Sequence, residues 1–436
     1  MHIGGDEVIK DRWRDCAQCQ RLMRERRMNS IEQLHGYFVS RVEATLRRLG
    51  RRAIGWNEVM EGDINTGTTI MCWTGTDACR DALTAGHETI MTPVECTYFD
   101  FYQSTSLDEP QAIHGLATLR QVFEFDPLPP DLPEHLRGRI LGAQANVWTE
   151  YLREPEAVEY ACLPRMSALA EVLWTGPQRS WEHFATRLPA WSRRLRDEGY
   201  RVADSAAKPR IIVEPGTGQS LLASLQCDLP GLAIHYTLDG SEPGPESTRY
   251  PGPLLINNDC VLRCCSVCPD SGLTFGDERQ HLRIHRALHC PVYHWRNESL
   301  VPASELAQLT NGCLGRDRIF HGFEWTAFDS REAALVIDLQ REQLLRGMRL
   351  NFEAGAHRQL FFPSGLRACL SRDALNWEVW FDIDESGLAG GAVSRNSEPC
   401  AARYLRLQIR NQQRHYGPEQ RAPITRPVHI DEIIVI

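Results

Sequence analysis

The segment His2-Ile3-Gly4-Gly5-Asp6-Glu7 constrains the fold more than any other part of this chain. Its glycine pair follows an apolar residue and precedes two adjacent carboxylates. Because glycine permits a tight turn or a close approach of the backbone to a ligand, the segment predicts a loop leaving the C-terminal end of a buried strand. Adjacent side chains on an extended segment diverge, so Asp6 and Glu7 would meet different atoms of one substrate. The alternative is a solvated surface pair, but the flanking glycines favour function.

Length and composition exclude several classes of protein. A chain of 436 residues is too long for one ordinary core, which predicts two or three domains. The hydrophobic content of 42% is that of a globular protein, and no apolar run approaches membrane-spanning length. The net charge of −9 argues against a general nucleic-acid binder. The 15 cysteines are scattered and odd in number, so they do not predict a small disulfide framework.

Residues 1–205 alternate between helix-like and strand-like segments, which predicts an α/β domain with a parallel sheet. An amphipathic helix is expected from Ile31 to Gly50, and further helices near 156–173 and 180–198. The predicted buried strands are 53–56, 69–73, 90–94 and 140–145. Aromatic or acidic residues follow each strand, at the sheet edge where such folds place their chemistry. They are Trp56-Asn57-Glu58, Trp73, Tyr98-Phe99-Asp100 and Trp148-Thr149-Glu150.

The pattern changes near Ala206-Ala207-Lys208-Pro209 to short alternating runs with turn signals such as Asp239-Gly240. This is typical of a β-sandwich and predicts an all-β domain over 206–289. A second change near Cys290-Pro291 begins another strand-rich region, 290–436. The strands expected there are 334–339, 347–352, 404–409 and 429–436.

The blocks described above resemble family 20 glycoside hydrolases, the β-N-acetylhexosaminidases. The resemblance covers about 1–200 and follows the family's order. Its blocks are His2-Ile3-Gly4-Gly5-Asp6-Glu7-Val8, Gly55-Trp56-Asn57-Glu58, Tyr98-Phe99-Asp100, Ala145-Asn146-Val147-Trp148-Thr149-Glu150-Tyr151 and Pro164-Arg165-Met166-Ser167-Ala168-Leu169-Ala170-Glu171. The segment from Tyr236 to Pro243 is similar to the small sandwich that follows the barrel in bacterial hexosaminidases and chitobiases. The last domain more loosely resembles a discoidin-like (coagulation factor 5/8 C-type) sandwich.

The resemblance implies substrate-assisted hydrolysis, an exception to the two-carboxylate scheme of most glycosidases. It implies that Glu7 is the general acid, that Asp6 holds the acetamido N–H, and that Tyr98 donates to the acetamido oxygen. It further implies no cofactor and no metal, and a substrate glycan ending in N-acetylglucosamine or N-acetylgalactosamine. The sugar-binding residues that it implies are Trp56, Trp73, Trp148, Asp100 and Glu150. Trp174 is expected to pack its helix against the barrel, and Glu58 is interpreted as a solvated loop charge outside the site.

The family's catalytic domain is an eight-stranded (β/α)8 TIM barrel whose signature loop follows the fourth strand. Since this chain opens at that loop, the resemblance implies a partial barrel retaining about strands five to eight, without the sugar-gripping arginine of strand one. We therefore expect a truncated product or misplaced gene start with little activity of its own. The start of the chain does not read as a signal peptide. The family would favour a periplasmic or secreted location.

Two rival functions stay open. A non-catalytic carbohydrate-binding protein would act through the C-terminal sandwich. A zinc-dependent nucleic-acid binder is suggested by Cys265-x2-Cys268-x12-His281-x3-His285, which has the spacing of a two-Cys, two-His finger. The finger's usual core residues are replaced by Gly272 and Glu278, and the net charge opposes this reading. Cys16-x2-Cys19 lacks a second pair and is interpreted as part of a surface loop or helix.

Overall fold

The computed structural model describes residues 1–113, 115–316, 325–328, 330–353, 362–388, 392–411, 413–414, 424–425 and 428–436. The chain divides into two compact units, the first formed by 1–104 and 110–206 and the second by 105–109 and 207–436. No helix in the described ranges is both long enough and apolar enough to cross a membrane. The three domains expected from the sequence, with boundaries after 205 and 289, stay a prediction.

The first unit is an α/β structure. Its strands are β1 (Ile54–Trp56), β2 (Thr69–Cys72), β3 (Thr89–Met91) and β4 (Ile140–Ala143). Its helices are α1 (Asp11–Asp15), α2 (Ala17–Arg26), α3 (Ile31–Arg48), α4 (Thr76–Thr84), α5 (Val94–Thr97), α6 (Leu119–Glu124), α7 (Glu134–Arg137), α8 (Pro155–Cys162), α9 (Arg165–Thr175) and α10 (Trp181–Asp197). Short 3-10 turns follow β1, α9 and α10, at Asn57–Glu61, Gly176–Gln178 and Ser205–Ala207.

The four strands form one parallel sheet in the order β1-β2-β3-β4. A further parallel bridge joins His2 to Ile54, so the start of the chain lies beside β1. Strand β2 is buried along its whole length, as expected for a parallel strand covered on both faces. The α/β class with a parallel sheet is confirmed, whereas the partial barrel with strands five to eight stays a prediction.

Local sequence explains where the helices begin and end. Ser30 caps α3, since its side chain accepts a hydrogen bond from the amide of Gln33, and the helix ends within two residues of the predicted Gly50. The helix expected near 156–173 is instead two helices, α8 and α9, separated at Pro164. Proline supplies no N–H for a continuing helix and disfavours the helical conformation of the preceding residue.

The expected packing of Trp174 is wrong, because 91% of the residue is exposed. Helix α9 buries Arg165, Ala168, Leu169 and Val172, which are spaced by three or four residues along one face. Trp174 falls outside that stripe, so it does not contribute to the core of the described unit.

Among the residues that the structure describes, Arg165 is the largest fully buried side chain, with no exposed surface. Its guanidinium donates to main-chain carbonyl oxygens of Phe99, of Phe101 at 3.2 Å, of Ala117 at 2.8 Å and of Ala161 at 2.6 Å. A buried cation is tolerated only when its donors find acceptors. Arg165 therefore fixes the loop that follows β3 to the start of α9.

The second unit is built mainly of strands. They are β5 (Arg210–Pro215), β6 (Leu221–Gln226), β7 (Ala233–Thr237), β8 (Thr248–Arg249), β9 (Leu254–Ile256), β10 (Cys260–Val267), β11 (Thr274–Leu282), β12 (Val292–Arg296), β13 (Ser299–Pro302), β14 (Thr326–Phe328), β15 (Glu332–Glu353), β16 (Gly365–Ser371), β17 (Glu378–Asp384), β18 (Ala392–Arg410), β19 (Gln413–Arg414), β20 (Ile424–Thr425), β21 (Val428–Ile430) and β22 (Ile434–Val435). A short helix, α11 (Glu385–Leu388), follows β17, and a 3-10 turn spans Ser304–Thr310.

Antiparallel sheets organise this unit. Strands β5-β6-β9 form one sheet and β11-β10-β7-β8 another, with a shared core around Leu221 and Leu262. The C-terminal part has a nine-stranded sheet in which β15 and β18 pair over most of their length. The strands predicted separately at 334–339 and 347–352 are parts of β15, whose register shifts between Asp338 and Gln343. All-β architecture is thus confirmed for the described part, while the discoidin-like resemblance stays a prediction.

Replacement of Arg165 by methionine tests the buried guanidinium. The substitution keeps an unbranched chain but removes every donor, which leaves several buried carbonyl groups unsatisfied. We expect the first unit to lose about 3 kcal/mol or more of stability, since each orphaned group costs roughly 1–3 kcal/mol. Urea denaturation measures the loss. The matched control is Arg194→Met, whose side chain is 80% exposed and is paired with Glu198. Equal midpoints for the two variants would contradict this role.

Candidate active site

The signature segment runs beside β1 and turns sharply at its end. The amide of Ile3 donates to the carbonyl of Ile54 at 2.8 Å, and the amide of Trp56 donates to the carbonyl of Gly4 at 3.1 Å. Gly4 and Gly5 both have positive φ, +69° and +101°. A Cβ on Gly5 would lie 2.2 Å from a methyl group of Val59, so the close approach also requires glycine.

Asp6 and Glu7 follow this turn, where the sequence predicted a loop at a strand end. Glu7 is exposed and has a φ of +49°, a left-handed conformation that is uncommon for residues other than glycine. Such backbone outliers concentrate at functional sites, where the surrounding structure maintains them. Asp6 is half-buried. Its charge acts on Tyr98, which places the two groups in one electrostatic environment.

Four predicted aromatic residues meet at the C-terminal edge of the parallel sheet. The ring centre of Trp148 lies 6.1 Å from the ring centre of Trp56 and 6.3 Å from that of Tyr98. The ring centres of Tyr98 and Trp73 are 6.4 Å apart. Trp56 ends β1, and the other three residues follow β2, β3 and β4, so the parallel arrangement brings together positions far apart in sequence. The loops after β3 and β4 are joined directly by a parallel bridge between Tyr98 and Asn146.

Glu58 and Asn57 hold Trp73 in place. The indole N–H of Trp73 donates to both carboxylate oxygens of Glu58, at 2.9 and 3.1 Å, and its amide donates to the Asn57 side-chain oxygen at 3.1 Å. The interpretation of Glu58 as a solvated loop charge is therefore wrong. The sequence signal was the adjacency of Asn57 and Glu58 to Trp56. The sequence alone could not predict the contact between Glu58 and Trp73, because the pairing of β1 with β2 brings these two residues together.

Tyr98 retains its phenolic proton over the physiological pH range. Burial raises the pKa of Tyr98 to about 12, and the negative charges of Asp100 and Asp6 act in the same direction. The side chains of Trp148 and Asn146 partly oppose this rise in pKa. A neutral hydroxyl is a hydrogen-bond donor, so Tyr98 can donate to an acceptor oxygen of a bound molecule.

Asp100 is a buried carboxylate without a strong partner. Only 4% of the residue is exposed, and within the described part of the chain neither carboxylate oxygen has a partner at good hydrogen-bonding geometry. Burial raises the pKa of Asp100; the nearby amides of Asp100 and Trp148 lower it only in part, and Glu150 raises it further. Glu150 itself is exposed. An unsatisfied acceptor beside an aromatic wall is suited to a ligand hydroxyl.

The finger-like cysteines and histidines serve separate contacts in the second unit. Cys265 is a buried residue of β10, Cys268 lies just beyond that strand, and His281 belongs to β11. His285 is also buried, with its Nε2 atom 2.7 Å from a carboxylate oxygen of Glu432. Over the ranges that the structure describes, no group of three or more His, Cys, Asp or Glu side chains is placed to hold a metal ion.

Comparison with known families agrees with this geometry. Residues 1–177 match the model of the catalytic domain of glycosyl hydrolase family 20. Residues 214–272 match the chitobiase/beta-hexosaminidase C-terminal domain. The two models match separate parts of this chain. They occur in the order that the sequence blocks predict, and the first match contains every predicted site residue.

Individual relatives cover the same region. A beta-hexosaminidase of Porphyromonas gingivalis is 37% identical over 278 residues, 61% of this chain and 35% of the relative. A beta-hexosaminidase of Vibrio furnissii is 34% identical over 174 residues, 39% of this chain and 28% of the relative. The chain thus spans about a third of the length of these relatives. A solved family 20 exo beta-N-acetylglucosaminidase of Vibrio harveyi, in complex with N-acetylglucosamine, is 29% identical with a TM-score of 0.44, covering 47% of this chain and 33% of that one.

Replacement of Asp100 by asparagine tests the burial of its carboxylate. Because the folded-state pKa is raised, deprotonation of Asp100 opposes folding, and the penalty grows as the pH rises from the unfolded pKa of about 3.9 through the folded value. Asp100→Asn should therefore raise stability at pH 7, on the order of 1 kcal/mol. The gain should vanish below the unfolded pKa, where both forms are neutral. Urea denaturation across this pH range measures it.

The control for this prediction is Glu134→Gln, since the Glu134 side chain is 85% exposed and Glu134 is not among the charges that act on Asp100. That variant should stay within about 0.5 kcal/mol of the parent at each pH. A stability gain in Asp100→Asn that does not change with pH would contradict the assignment to a buried charge.

Proposed function

We propose that this chain supplies the acid, acetamido-binding and aromatic residues of a β-N-acetylhexosaminidase, an enzyme that hydrolyses terminal non-reducing N-acetylhexosamine residues with retention of configuration. The proposal is supported by the family 20 domain match and by relatives named beta-hexosaminidase. The observation that carries it is the position of Tyr98, a neutral phenol between Trp73 and Trp148 within the field of Asp6. This arrangement offers a donor to an acetamido oxygen inside an indole-walled pocket.

The first step forms an oxazolinium ion on the substrate itself. The acetamido oxygen attacks C1 of the sugar, and the bond from C1 to the leaving oxygen breaks. Glu7 gives its proton to that leaving oxygen, as a general acid. No carboxylate of the protein forms a covalent bond to the sugar, which separates this route from the two-carboxylate retaining mechanism.

Asp6 and Tyr98 act on the acetamido group. The carboxylate of Asp6 accepts a hydrogen bond from the acetamido N–H and stabilises the positive charge that develops there. The hydroxyl of Tyr98 donates to the acetamido oxygen and directs it towards C1. Both contacts fix the substrate's nucleophile in the reacting orientation, which lowers the entropic part of the barrier.

The second step returns Glu7 to its acid form. The Glu7 carboxylate takes a proton from water, the water oxygen adds to C1, and the oxazolinium ring opens to the N-acetyl sugar. Trp56, Trp73 and Trp148 cover the apolar face of the sugar and its acetamido methyl group. Asp100 and Glu150 accept hydrogen bonds from sugar hydroxyls, which gives the buried Asp100 carboxylate the partner it needs.

Replacement of Glu7 by glutamine tests the acid role. We expect a loss of hydrolysis of about 10²- to 10⁴-fold on N-acetylglucosaminyl and N-acetylgalactosaminyl substrates. The loss should be larger for a disaccharide than for a nitrophenyl glycoside, because a nitrophenolate needs less protonation on departure. The measurement is kcat/KM on both substrate types. The matched control is Glu134→Gln, whose side chain is 85% exposed on α7, and it should be unchanged.

A thiazoline analogue of the oxazolinium ring separates binding from turnover. Tyr98→Phe should weaken its binding, measured by calorimetry, while Glu7→Gln should leave binding largely intact. Equal losses of activity for disaccharide and nitrophenyl substrates in Glu7→Gln would count against the acid assignment. Glycan binding that persists in every active-site variant would instead favour the carbohydrate-binding alternative through the C-terminal sandwich.

A further inference from the structure

Cys16 and Cys19 occupy two related positions at the beginning of one helix. Cys16 is the N-cap residue of α2, in an extended conformation, and Cys19 is the third residue of the helix. Residues three apart at the start of a helix are neighbours on its surface, and the Cys16 side chain interacts with both the backbone and the side chain of Cys19. Both thiols are therefore on the same side of the first turn, and both residues are partly exposed.

Packing does not account for this pair. Helix α2 has no buried residue, so neither thiol fills a core position. Cys72 and Cys79, in contrast, are fully buried members of the hydrophobic core of the first unit. Cysteines that serve as small hydrophobic side chains are usually buried. Cys16 and Cys19 are partly exposed and are therefore accessible to thiol reagents.

The local electrostatics distinguish the two thiols. The backbone N–H of Cys19 lowers the pKa of Cys16, and the Cys19 thiol and the Gln18 backbone add to this effect. The interaction with Cys16 in turn raises the pKa of Cys19. One sulfur is thus favoured as the thiolate and the other is kept as the thiol. Cys-x2-Cys pairs at helix N-termini divide the roles of attacking and resolving thiol in the same way.

We propose that Cys16 and Cys19 form a redox-active dithiol that exchanges with low-molecular-weight disulfides such as oxidised glutathione. The Cys16 thiolate attacks one sulfur of glutathione disulfide, the S–S bond breaks, and one glutathione leaves as a thiolate. Cys19 then loses its proton to solvent and attacks the Cys16 sulfur, which releases the second glutathione. The two protein thiols lose two electrons, and the small disulfide gains them as two thiols.

The chain contains the same spacing in a different secondary structure. Cys265 and Cys268 are also separated by two residues, but Cys265 lies in β10 and Cys268 lies just past its end. Cys265 is buried, and its thiol donates to the carbonyl of Pro243. Neither residue belongs to a helix, so this pair lacks the helical first turn on which Cys16 and Cys19 lie. This second pair is a matched internal control for the effect of helix geometry.

Differential alkylation and mass spectrometry test the proposal on the full chain. Samples equilibrated with mixtures of reduced and oxidised glutathione are quenched in acid, alkylated in denaturant and digested with trypsin. Cleavage after Arg14 and Arg21 isolates Cys16 and Cys19 in one peptide, 15–21. Cleavage after Arg263 and Arg279 gives peptide 264–279, which holds the control pair together with the buried Cys264, and fragmentation of this peptide assigns the label on each cysteine. We expect peptide 15–21 to become half oxidised at an oxidised glutathione concentration at least about tenfold lower than the control peptide. Equal oxidation of the two peptides would overturn the proposal.

Two serine variants assign the roles. Cys19→Ser should accumulate a stable glutathione adduct on Cys16, because the resolving thiol is absent. Cys16→Ser keeps a good N-cap residue, so the helix should remain folded, and it should give no adduct on Cys19 above the level on Cys268. Adducts spread equally over Cys16, Cys19 and Cys268 would contradict the assignment. The preference for peptide 15–21 should also disappear in urea, and its persistence there would show that helix geometry does not cause it.

Discussion

The buried guanidinium of Arg165 is the interaction on which the candidate site depends. A cation inside a protein is stable only when its donors are satisfied, and here the acceptors are main-chain carbonyl oxygens, among them those of Phe99 and Ala117. These carbonyls belong to the loop that carries Tyr98 and Asp100. The need to satisfy one charge therefore fixes the backbone of the loop, and the loop in turn fixes two proposed substrate contacts. Arg165 acts through the backbone, and its charge also lowers the pKa of Asp100.

The pocket combines groups that are costly to bury with groups that support them. Asp100 is a desolvated carboxylate without a good partner among the described residues, and burial keeps Tyr98 protonated. Trp73 is held by Glu58, so an acidic side chain outside the predicted site orients an aromatic wall. The unsatisfied Asp100 carboxylate lowers the stability of the fold, but a ligand hydroxyl that donates to it supplies the missing hydrogen bond and so favours binding. The buried charge thus links the energetics of the fold to the proposed sugar recognition.

Identical spacing has different meanings on different elements. Cys16 and Cys19 share one side of a helical turn, whereas Cys265 and Cys268 lie at the end of a strand, where the buried thiol serves a main-chain contact. The Cys and His residues of the finger-like pattern are likewise distributed over β10, β11 and the segments beyond these strands, because spacing fixes only the separation along the chain and secondary structure sets the direction of each side chain. Residue type alone did not predict the position of Trp174 either. An aromatic residue on a helix is buried only if it lies on the face that packs against the core, and Trp174 lies outside that face of α9.

The sequence by itself determined the α/β class of the first unit, the strand-rich second unit, the positions of β1 to β4 and the residues of the proposed site. Hydrophobic periodicity and glycine placement are local properties, and the motif blocks are contiguous, so both can be read without a structure. Tertiary structure decided the partnership of Glu58 with Trp73 and the burial of Arg165. These depend on which strands are neighbours and which loops cross, and such contacts join residues that are distant in the chain.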